Sequence, residues 1–546
     1  MTVQATQMID ELTFESPGPG SWELDGTHWP VPVARFMTEP SAYEEPMARG
    51  FIWTLKRYGL VVLYPEYRFV NGFAYRCIRP APVEEMPERF EAAARAFATK
   101  LWREDLRRWE EEVKPASIRA HLALQRTNPW ALDTDALIEH LAACHAHLDR
   151  MFEQHYRFTA AALVPLGDFL AQGSELSGVE PAQLLLLMRG SAPISAGASD
   201  GLDELAAAIR EDAGAVADLD ARGSAEVLDA LRRRPSAVGS AARHYLERVE
   251  CRLLNGFEIG YPCGFEAPDV LAKSIRRAVE HGRRETDAEE EIARVRDRVS
   301  GDGRARFDEL LGEARRTYRL RDERSIYSSI WALGLMRRGV LAAGARLAED
   351  DLVEEPAHLV EAWFGEIVSL LRGGDGPSVA ELAARARFRA THTAADGPDV
   401  LGDEPQPPSL DGLPEPAARA MRAVGTCLHL LFVDAEAKSE GTIVRGLPAS
   451  PGVYEGTARR LTGPEQFDRL VPGDVLVAPS TSEAFNVVLP LVGAIVTDRG
   501  GVSHAAIVAR EYGIPGVVGC RDATEVLRDG ARVRVDGTTG EVRVLS

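Results

Sequence analysis

Residues 494–519 read AIVTDRGGVSHAAIVAREYGIPGVVG, and this stretch decides the fold of the C-terminal part of the chain. Its first three residues are apolar and predict a buried strand, after which Gly500 and Gly501 permit a tight turn. Ser503 stands where a helix N-cap belongs, and the AAIVA that follows is typical of the buried face of a helix. His504 is therefore expected in the first turn of a helix.

The first turn of a helix favours an anion, because its backbone N–H groups lack helical partners and the helix dipole is positive there, by about 0.3–1 kcal/mol. The same field keeps an imidazole neutral, with a lone pair for attack on phosphorus. We therefore predict that His504 accepts a phosphoryl group, with Gly500, Gly501 and Ser503 supporting the phosphate. The alternative is a histidine that only caps or packs the start of a helix.

Outward from this motif, residues 441–546 show short β-rich runs separated by glycines. They predict a compact α/β module with one clear helix from about residue 503 to 512. The runs lie at 456–461, 474–478, 494–497, 516–518, 532–535 and 541–545.

The preceding chain has a different texture. Residues 87–391 carry apolar side chains three and four apart in long charged segments, which predicts a helical domain, whereas residues 22–79 are mixed and partly stranded. Residues 396–416 are rich in proline and acids and predict a linker or strap, followed by a helix at 417–437.

These boundaries divide the chain into four parts. The expected parts are a polar tail (1–20), a mainly helical substrate domain whose N-terminal part is mixed (21–395), a linker with a connecting helix (396–440), and the α/β module (441–546). The predicted fold class is thus a multidomain protein, α plus α/β.

Composition excludes several classes of function. The chain has 546 residues with 63 basic and 83 acidic side chains, a formal charge of −20 that repels nucleic acid. Six scattered cysteines without a CxxC pair indicate free thiols in a reducing compartment. The N-terminus lacks the pattern of a signal peptide, and the apolar runs are too short to span a membrane. We expect a cytoplasmic protein with neither nucleic acid nor membrane as partner.

The C-terminal module resembles the phosphohistidine domain of the phosphoenolpyruvate-utilising enzymes, which include pyruvate phosphate dikinase, phosphoenolpyruvate synthase, rifampin phosphotransferase and phenylphosphate synthase. The resemblance extends beyond the His504 motif to GLPASPG at 446–452, GDVLVA at 473–478 and VDGTTG at 535–540. In this family the histidine that matches His504 carries a phosphoryl group between two distant sites. The resemblance therefore implies a compact, swivelling β/β/α domain.

The earlier part of the chain resembles the central substrate domain of rifampin phosphotransferase and phenylphosphate synthase. The residues concerned are WELD at 22–25, HWP at 28–30, YRLRDE at 318–323 and MRR at 336–338. No alternating strand–helix repeat predicts the barrel of pyruvate phosphate dikinase. The resemblance therefore implies a phosphoryl acceptor that is a small organic molecule with a hydroxyl group.

Three residues of that resemblance, Arg319, Arg321 and Glu323, are candidates for contact with the substrate or the phosphoryl group. The alternative is a set of solvated ion pairs on a helix.

Single-chain relatives carry an ATP-grasp domain before the central domain, and here the central pattern begins at Trp22. The chain alone is therefore expected to bind no cofactor, with ATP and Mg²⁺ held by a separate ATP-grasp subunit that phosphorylates His504. No Walker-type phosphate loop appears in the sequence.

Other interpretations remain open. His140, Cys144 and His147 would line one helix stripe, but packed histidines explain the spacing better than a metal site, and we predict no metal. His504 could instead act as a general acid/base in a lyase or dehydratase, or the chain could be a non-catalytic binding protein. The sequence does not identify the substrate, the partner or the oligomeric state.

Overall fold

A computed structural model gives the fold of the chain. It describes residues 12–192, 201–254, 256–282, 287–406, 409–432, 441–461, 464–479, 481, 485, 488, 491–498 and 504–545.

An N-terminal antiparallel sheet is built around a tight hairpin. Asn71 and Gly72 form its turn with positive φ angles of 53° and 82°, the conformation that a two-residue hairpin turn requires. The sheet order is β2-β3-β1-β4. Its strands are β1 (Ser21–Leu24), β2 (Val62–Val70), β3 (Phe73–Pro80) and β4 (Val400–Gly402).

The strand β4 comes from the segment that composition predicts to be a strap. It pairs with β1, with Leu401 opposite Trp22, so this part of the strap is held in the sheet. In the predicted polar tail, Phe14 packs edge-on against Phe73 of β3, with the ring centroids 5.5 Å apart. The described end of the predicted polar tail therefore belongs to the core of this sheet.

A helical body follows, as the apolar periodicity predicts. Long predicted segments are divided by local breaks: one helix ends at Arg157 and the next begins at Thr159. Two π-helical segments, Trp109–Val113 and Ser325–Ile330, interrupt two others. The helices of the body are α1 (Glu44–Arg57), α2 (Met86–Thr99), α3 (Leu101–Arg108), α4 (Lys114–Gln125), α5 (Thr134–Arg157), α6 (Thr159–Ser177), α7 (Pro181–Leu184), α8 (Leu202–Arg210), α9 (Ala213–Ala221), α10 (Ser224–Arg233), α11 (Ala237–Val249), α12 (Pro268–His281), α13 (Glu289–Arg296), α14 (Gly301–Thr317), α15 (Leu320–Arg324), α16 (Trp331–Glu349), α17 (Phe364–Leu371) and α18 (Val379–Thr391).

The connecting helix α19 (Glu415–Phe432) packs along α6. Gly167 allows this close approach, because a Cβ atom there would lie 1.8 Å from the carbonyl oxygen of Ala423. A second tie is the ion pair in which Arg419 Nε donates to Asp168 Oδ1 at 2.8 Å. The connecting helix therefore belongs to the helical body.

The C-terminal module contains an eight-stranded sheet in the order β5-β12-β11-β7-β8-β9-β10-β6. The four strands β7, β8, β9 and β10 run parallel to one another, and the pairs that involve β5, β6, β11 and β12 are antiparallel. The elements of this module are β5 (Ile443–Arg445), β6 (Leu447–Ser450), β7 (Val453–Arg460), β8 (Val475–Ala478), β9 (Ala494–Thr497), α20 (His504–Tyr512), β10 (Gly516–Val518), α21 (Ala523–Val526), β11 (Arg532–Asp536) and β12 (Glu541–Val544). The predicted order of helical body and α/β module is confirmed.

Candidate active site

The histidine motif lies in a strand–loop–helix unit. All four residues of β9 are buried, and α20 begins at His504, in the first turn as predicted. Helix α20 connects β9 to β10, which lie side by side and parallel. Gly500, Gly501 and Ser503 lie outside the described residues, so their phosphate-supporting role stays a prediction.

Asp498 fixes the chain as it leaves β9. Its carbonyl accepts the N–H of Arg521 at 2.8 Å, and its carboxylate accepts the N–H of Thr524 at 2.9 Å. Just before it, the carbonyl of Thr497 accepts the N–H of Cys520 at 3.0 Å. These bonds hold the segment that leads to His504 at the carboxyl end of the parallel strands, where α/β sheets bind their ligands.

A large cavity lies between the N-terminal sheet, the helical body and the C-terminal module. Its volume is about 900 Å³, in the range of sites for drug-sized organic molecules. Aromatic and aliphatic side chains form most of its wall, among them Trp29, Tyr43, Phe51, Leu60, Tyr67, Phe257, Met421 and Leu428.

The C-terminal module contributes Thr481 to the cavity wall. Thr481 follows β8, and His504 follows β9; these strands are parallel neighbours, with Ala478 opposite Thr497. The carboxyl ends of parallel neighbours lie at the same edge of a sheet. The carboxyl ends of β8 and β9 therefore lie together on the side of the module that meets the cavity. The chain continues from the end of β9 to His504.

Charged side chains interrupt the apolar wall where α15 meets the π-helical segment. Arg321, Asp322, Arg324 and Ser325 line the cavity here. Arg324 Nη1 donates to Thr159 Oγ1 at 3.1 Å. Arg321 and Arg324 bring two guanidinium groups to this part of the wall, beside the carboxylate of Asp322. Together with the aromatic wall, they favour a ligand that has an apolar body and an anionic group.

His155 is a buried imidazole on the same wall. Its Nδ1 lies 3.0 Å from Ser329 Oγ. Burial, together with the nearby charges of Arg324 and His28, holds the pKa of His155 well below its ordinary value. This ring is therefore neutral at physiological pH.

A carboxylate–imidazole pair lies at the cavity in the segment that follows β1. His28 lines the cavity, and its Nδ1 lies 2.8 Å from Asp25 Oδ2. The hydroxyl of Tyr67 donates to the same carboxylate oxygen at 2.6 Å. Burial would raise the pKa of Asp25, but the charge and hydrogen bond of His28, with Arg76 and Tyr67, hold it below its ordinary value. Asp25 is therefore ionised.

Glu258 also lines the cavity, and its carboxyl group has a raised pKa. Its carboxylate accepts the N–H groups of Ala34 at 3.0 Å and Gly260 at 2.8 Å. Burial raises the pKa of Glu258 to about 7, against the opposing charge of Arg389.

The structure separates the three predicted substrate residues of the helical body. Arg321 lines the cavity. Glu323 is 3% exposed and accepts hydrogen bonds from Trp109 Nε1 at 2.7 Å and Arg319 Nη1 at 2.8 Å. Arg319 and Glu323 thus form an ion pair whose carboxylate is buried, not the solvated pair of the alternative. The substrate role of the three residues stays a prediction.

The histidine stripe on α5 packs internally. His147 Nε2 lies 2.9 Å from Nδ1 of His121, whose ring stacks on Trp331. Within the residues that the structure describes, no group of three or more His, Cys, Asp or Glu side chains is arranged to hold a metal ion. All six cysteines are buried free thiols.

The module contacts the helical body through apolar and polar groups. Leu254 and Val270 join the buried apolar cluster of the module. Arg189 Nε donates to the carbonyl of Arg510 at 3.3 Å, and the N–H of Ala192 donates to Glu511 Oε1 at 3.1 Å. The C-terminal end of α20 is therefore docked on the helical body.

Sequence reasoning missed the roles of Asp25 and Asp498. The WELD and HWP motifs include Asp25 and His28, yet the sequence separates both residues from Tyr67, which completes the pair. Asp498 gave a weak signal, because an acid directly after a buried strand often braces a loop.

None of the helices in the described ranges combines the length and the apolar character needed to cross a bilayer.

Two family models match the chain. Residues 470–540 match the mobile domain of PEP-utilising enzymes. Residues 157–322 match the fourth domain of rifampicin phosphotransferase.

Similar proteins include chondramide synthase of Chondromyces crocatus, 27% identical over 88% of this chain and 13% of that protein. Rifampicin phosphotransferase of Streptomyces sviceus is 29% identical over 59% of this chain and 36% of its own length. Phosphoenolpyruvate synthase of Aeropyrum pernix is 51% identical over 20% of this chain and 13% of its own. The chain thus spans little more than a third, or less, of these relatives. Its residues 470–540 are similar to the mobile domain of PEP-utilising enzymes, and residues 157–322, which precede them, are similar to the fourth domain of rifampicin phosphotransferase.

Proposed function

We propose that the chain is a phosphotransferase component in which His504 carries a phosphoryl group to a hydroxyl group of a small organic molecule in the cavity. The observation that carries this proposal is the shared sheet edge, since Thr481 lines the cavity and β8 and β9 end side by side. The matches to a PEP-utilising mobile domain and to rifampicin phosphotransferase support it.

The phosphoryl donor in this proposal is a separate ATP-grasp protein that holds ATP and Mg²⁺. The module visits that protein to be phosphorylated and returns to the cavity to deliver the group. A carrier of this kind needs an interface that releases, and the docked surface combines a small apolar contact with exchangeable hydrogen bonds.

The acceptor proposed here has an apolar, ring-sized or larger body and a hydroxyl group. The aromatic wall would hold the body, while Arg321 and Arg324 would face the transferring phosphoryl group. Catalysis then depends on positioning, on exclusion of water and on neutralisation of phosphoryl charge.

The experiment is incubation of the chain with candidate ATP-grasp proteins and ATP labelled in the β- or γ-phosphate. We expect an acid-labile, base-stable label on the wild-type chain and none on the His504→Ala variant, while both have the same far-UV circular dichroism. An equal label on the folded His504→Ala variant would refute the carrier role.

A second candidate function keeps His504 in one fixed pocket as a general acid/base. The apolar part of the docked surface, Leu254 and Val270, favours it, because a buried apolar contact resists release. Turnover of a cavity ligand that requires His504 but leaves no phosphorylated enzyme would support this alternative.

A further inference from the structure

His28 and Tyr67 line the cavity, and both are hydrogen-bonded to the carboxylate of Asp25 behind them. We propose that His28 is the base that takes the proton from the acceptor hydroxyl, and that Asp25 and Tyr67 position it. This inference rests on the proposed phosphoryl transfer.

The hydrogen-bond partners of His28 define which ring nitrogen is basic. Its Nδ1 lies 3.1 Å and 2.8 Å from the two carboxylate oxygens of Asp25. A carboxylate only accepts hydrogen bonds, so Nδ1 carries the hydrogen. In the neutral ring the lone pair that accepts a proton is therefore on Nε2.

The carboxylate is held in place by three donors on two elements. Besides His28 Nδ1, it accepts the backbone N–H of His28 at 3.0 Å and the hydroxyl of Tyr67, on β2, at 2.6 Å. Asp25 is 1% exposed, whereas the side chain of His28 is 35% exposed. The buried anion behind this partly exposed imidazole fixes the orientation of the ring.

His155 offers a comparison within the same cavity. Its Nδ1 faces the hydroxyl of Ser329 at 3.0 Å, and burial disfavours its charged form. A hydroxyl partner stabilises an imidazolium far less than a carboxylate does. Of these two rings, His28 is the one that a carboxylate orients.

Phosphoryl transfer from His504 to the acceptor breaks one bond to phosphorus and forms another. The N–P bond of phosphorylated His504 breaks and its electron pair returns to the ring nitrogen, while the acceptor oxygen forms the new O–P bond. The hydroxyl proton passes to His28 Nε2. His504 then takes one proton from water and His28 returns one, so that the products are a phosphate monoester and two neutral imidazoles.

The test loads the full chain with ³²P from phosphoramidate, a small donor that phosphorylates histidine without a partner protein. The rate of label loss is then measured in the presence of phenol. We expect His28→Gln to load as wild type does and to release the label on the order of 100-fold more slowly, the usual size of a general-base effect.

Two variants examine the positioning groups. Asp25→Asn offers an amide in place of the carboxylate, and we expect slow release together with a change in the ¹⁵N shifts of His28 toward the Nε2–H tautomer. Tyr67→Phe removes one hydrogen bond, and we expect a severalfold slower release with a melting temperature close to that of wild type. The matched control is His244→Gln, an exposed histidine on α11, which should release at the wild-type rate.

The outcomes separate this inference from the function on which it rests. Loading of folded His28→Gln and release at the wild-type rate would overturn the base role alone. A wild-type chain that takes no label, or a His504→Ala variant that takes as much, would refute the carrier role and the base role together.

Discussion

Glu323 is a single residue that the sequence offers as a substrate contact and that the structure surrounds with partners from the protein itself. The carboxylate is buried and accepts hydrogen bonds from Trp109 and Arg319, and Lys114 Nζ lies 3.1 Å from it. An acid with three donors around it is already satisfied, so it has little capacity left for a ligand.

We expect Glu323→Ala to lower the free energy of unfolding by about 3–5 kcal/mol, because it leaves the buried partners of the carboxylate without their charge. Urea denaturation measures this change. The matched control is Glu110→Ala, which removes the other, more exposed ion-pair partner of Arg319 and should cost about 0–1 kcal/mol. Equal losses in the two variants would contradict the structural role of Glu323.

Single residues also mark the limit of prediction from sequence. The position of His504 at the start of a helix could be predicted because glycines, a cap position and a helix pattern surround it within ten residues. The contact of Tyr67 with Asp25 depends on the pairing of the hairpin β2–β3 with β1, which no local pattern reports.

At the scale of the element, the contact of α6 with α19 determines how the connecting helix is held. The two backbones approach so closely at Gly167 that no side chain fits between them. We expect Gly167→Ala to destabilise the protein by about 1–3 kcal/mol, since the added methyl group forces the helices apart.

A second glycine serves as the control for this prediction. A Cβ atom at Gly312, inside α14, would meet no atom within 4 Å. Gly312→Ala should therefore stabilise the protein by about 0.5–1 kcal/mol through helix propensity alone. Chemical denaturation of both variants gives the comparison, and a Gly167→Ala variant as stable as wild type would show that the helices are not tightly held.

Elements were predicted well where periodicity is strong and poorly where tertiary contacts decide. The six predicted strands of the module are present with ends shifted by a few residues, but β5 and β6, at 443–445 and 447–450, were missed. They are short strands, and they exist because neighbouring strands bind them at the edges of the sheet. The strand β4 was missed for the same reason.

At the scale of the whole molecule, the docked position of the module depends on a buried apolar contact. Val270 is 3% exposed and packs in the cluster of the module. We expect Val270→Asp to undock the module, because a carboxylate at this contact would lose its water. The radius of gyration from small-angle scattering should rise, and proteases should cut residues 433–440 faster.

The control for undocking is Val83→Asp, because Val83 is 81% exposed. It should leave both measurements unchanged. If folded Val270→Asp keeps the wild-type radius of gyration and cleavage rate, the module is held by other contacts and the single-pocket function gains support.

The pairing of β4 with β1 and the packing of α19 on α6 limit how far the module could move from the cavity. Both elements hold the chain before residue 433 against the body, and eight residues, 433–440, separate the end of α19 from the described start of the module. Eight residues can span at most about 30 Å. In the proposed carrier function, so short a connection would hold His504 near the cavity at a millimolar effective concentration, roughly tenfold above that given by 45 flexible residues, the length from 396 to 440. The module would then return to the cavity more often but reach less far.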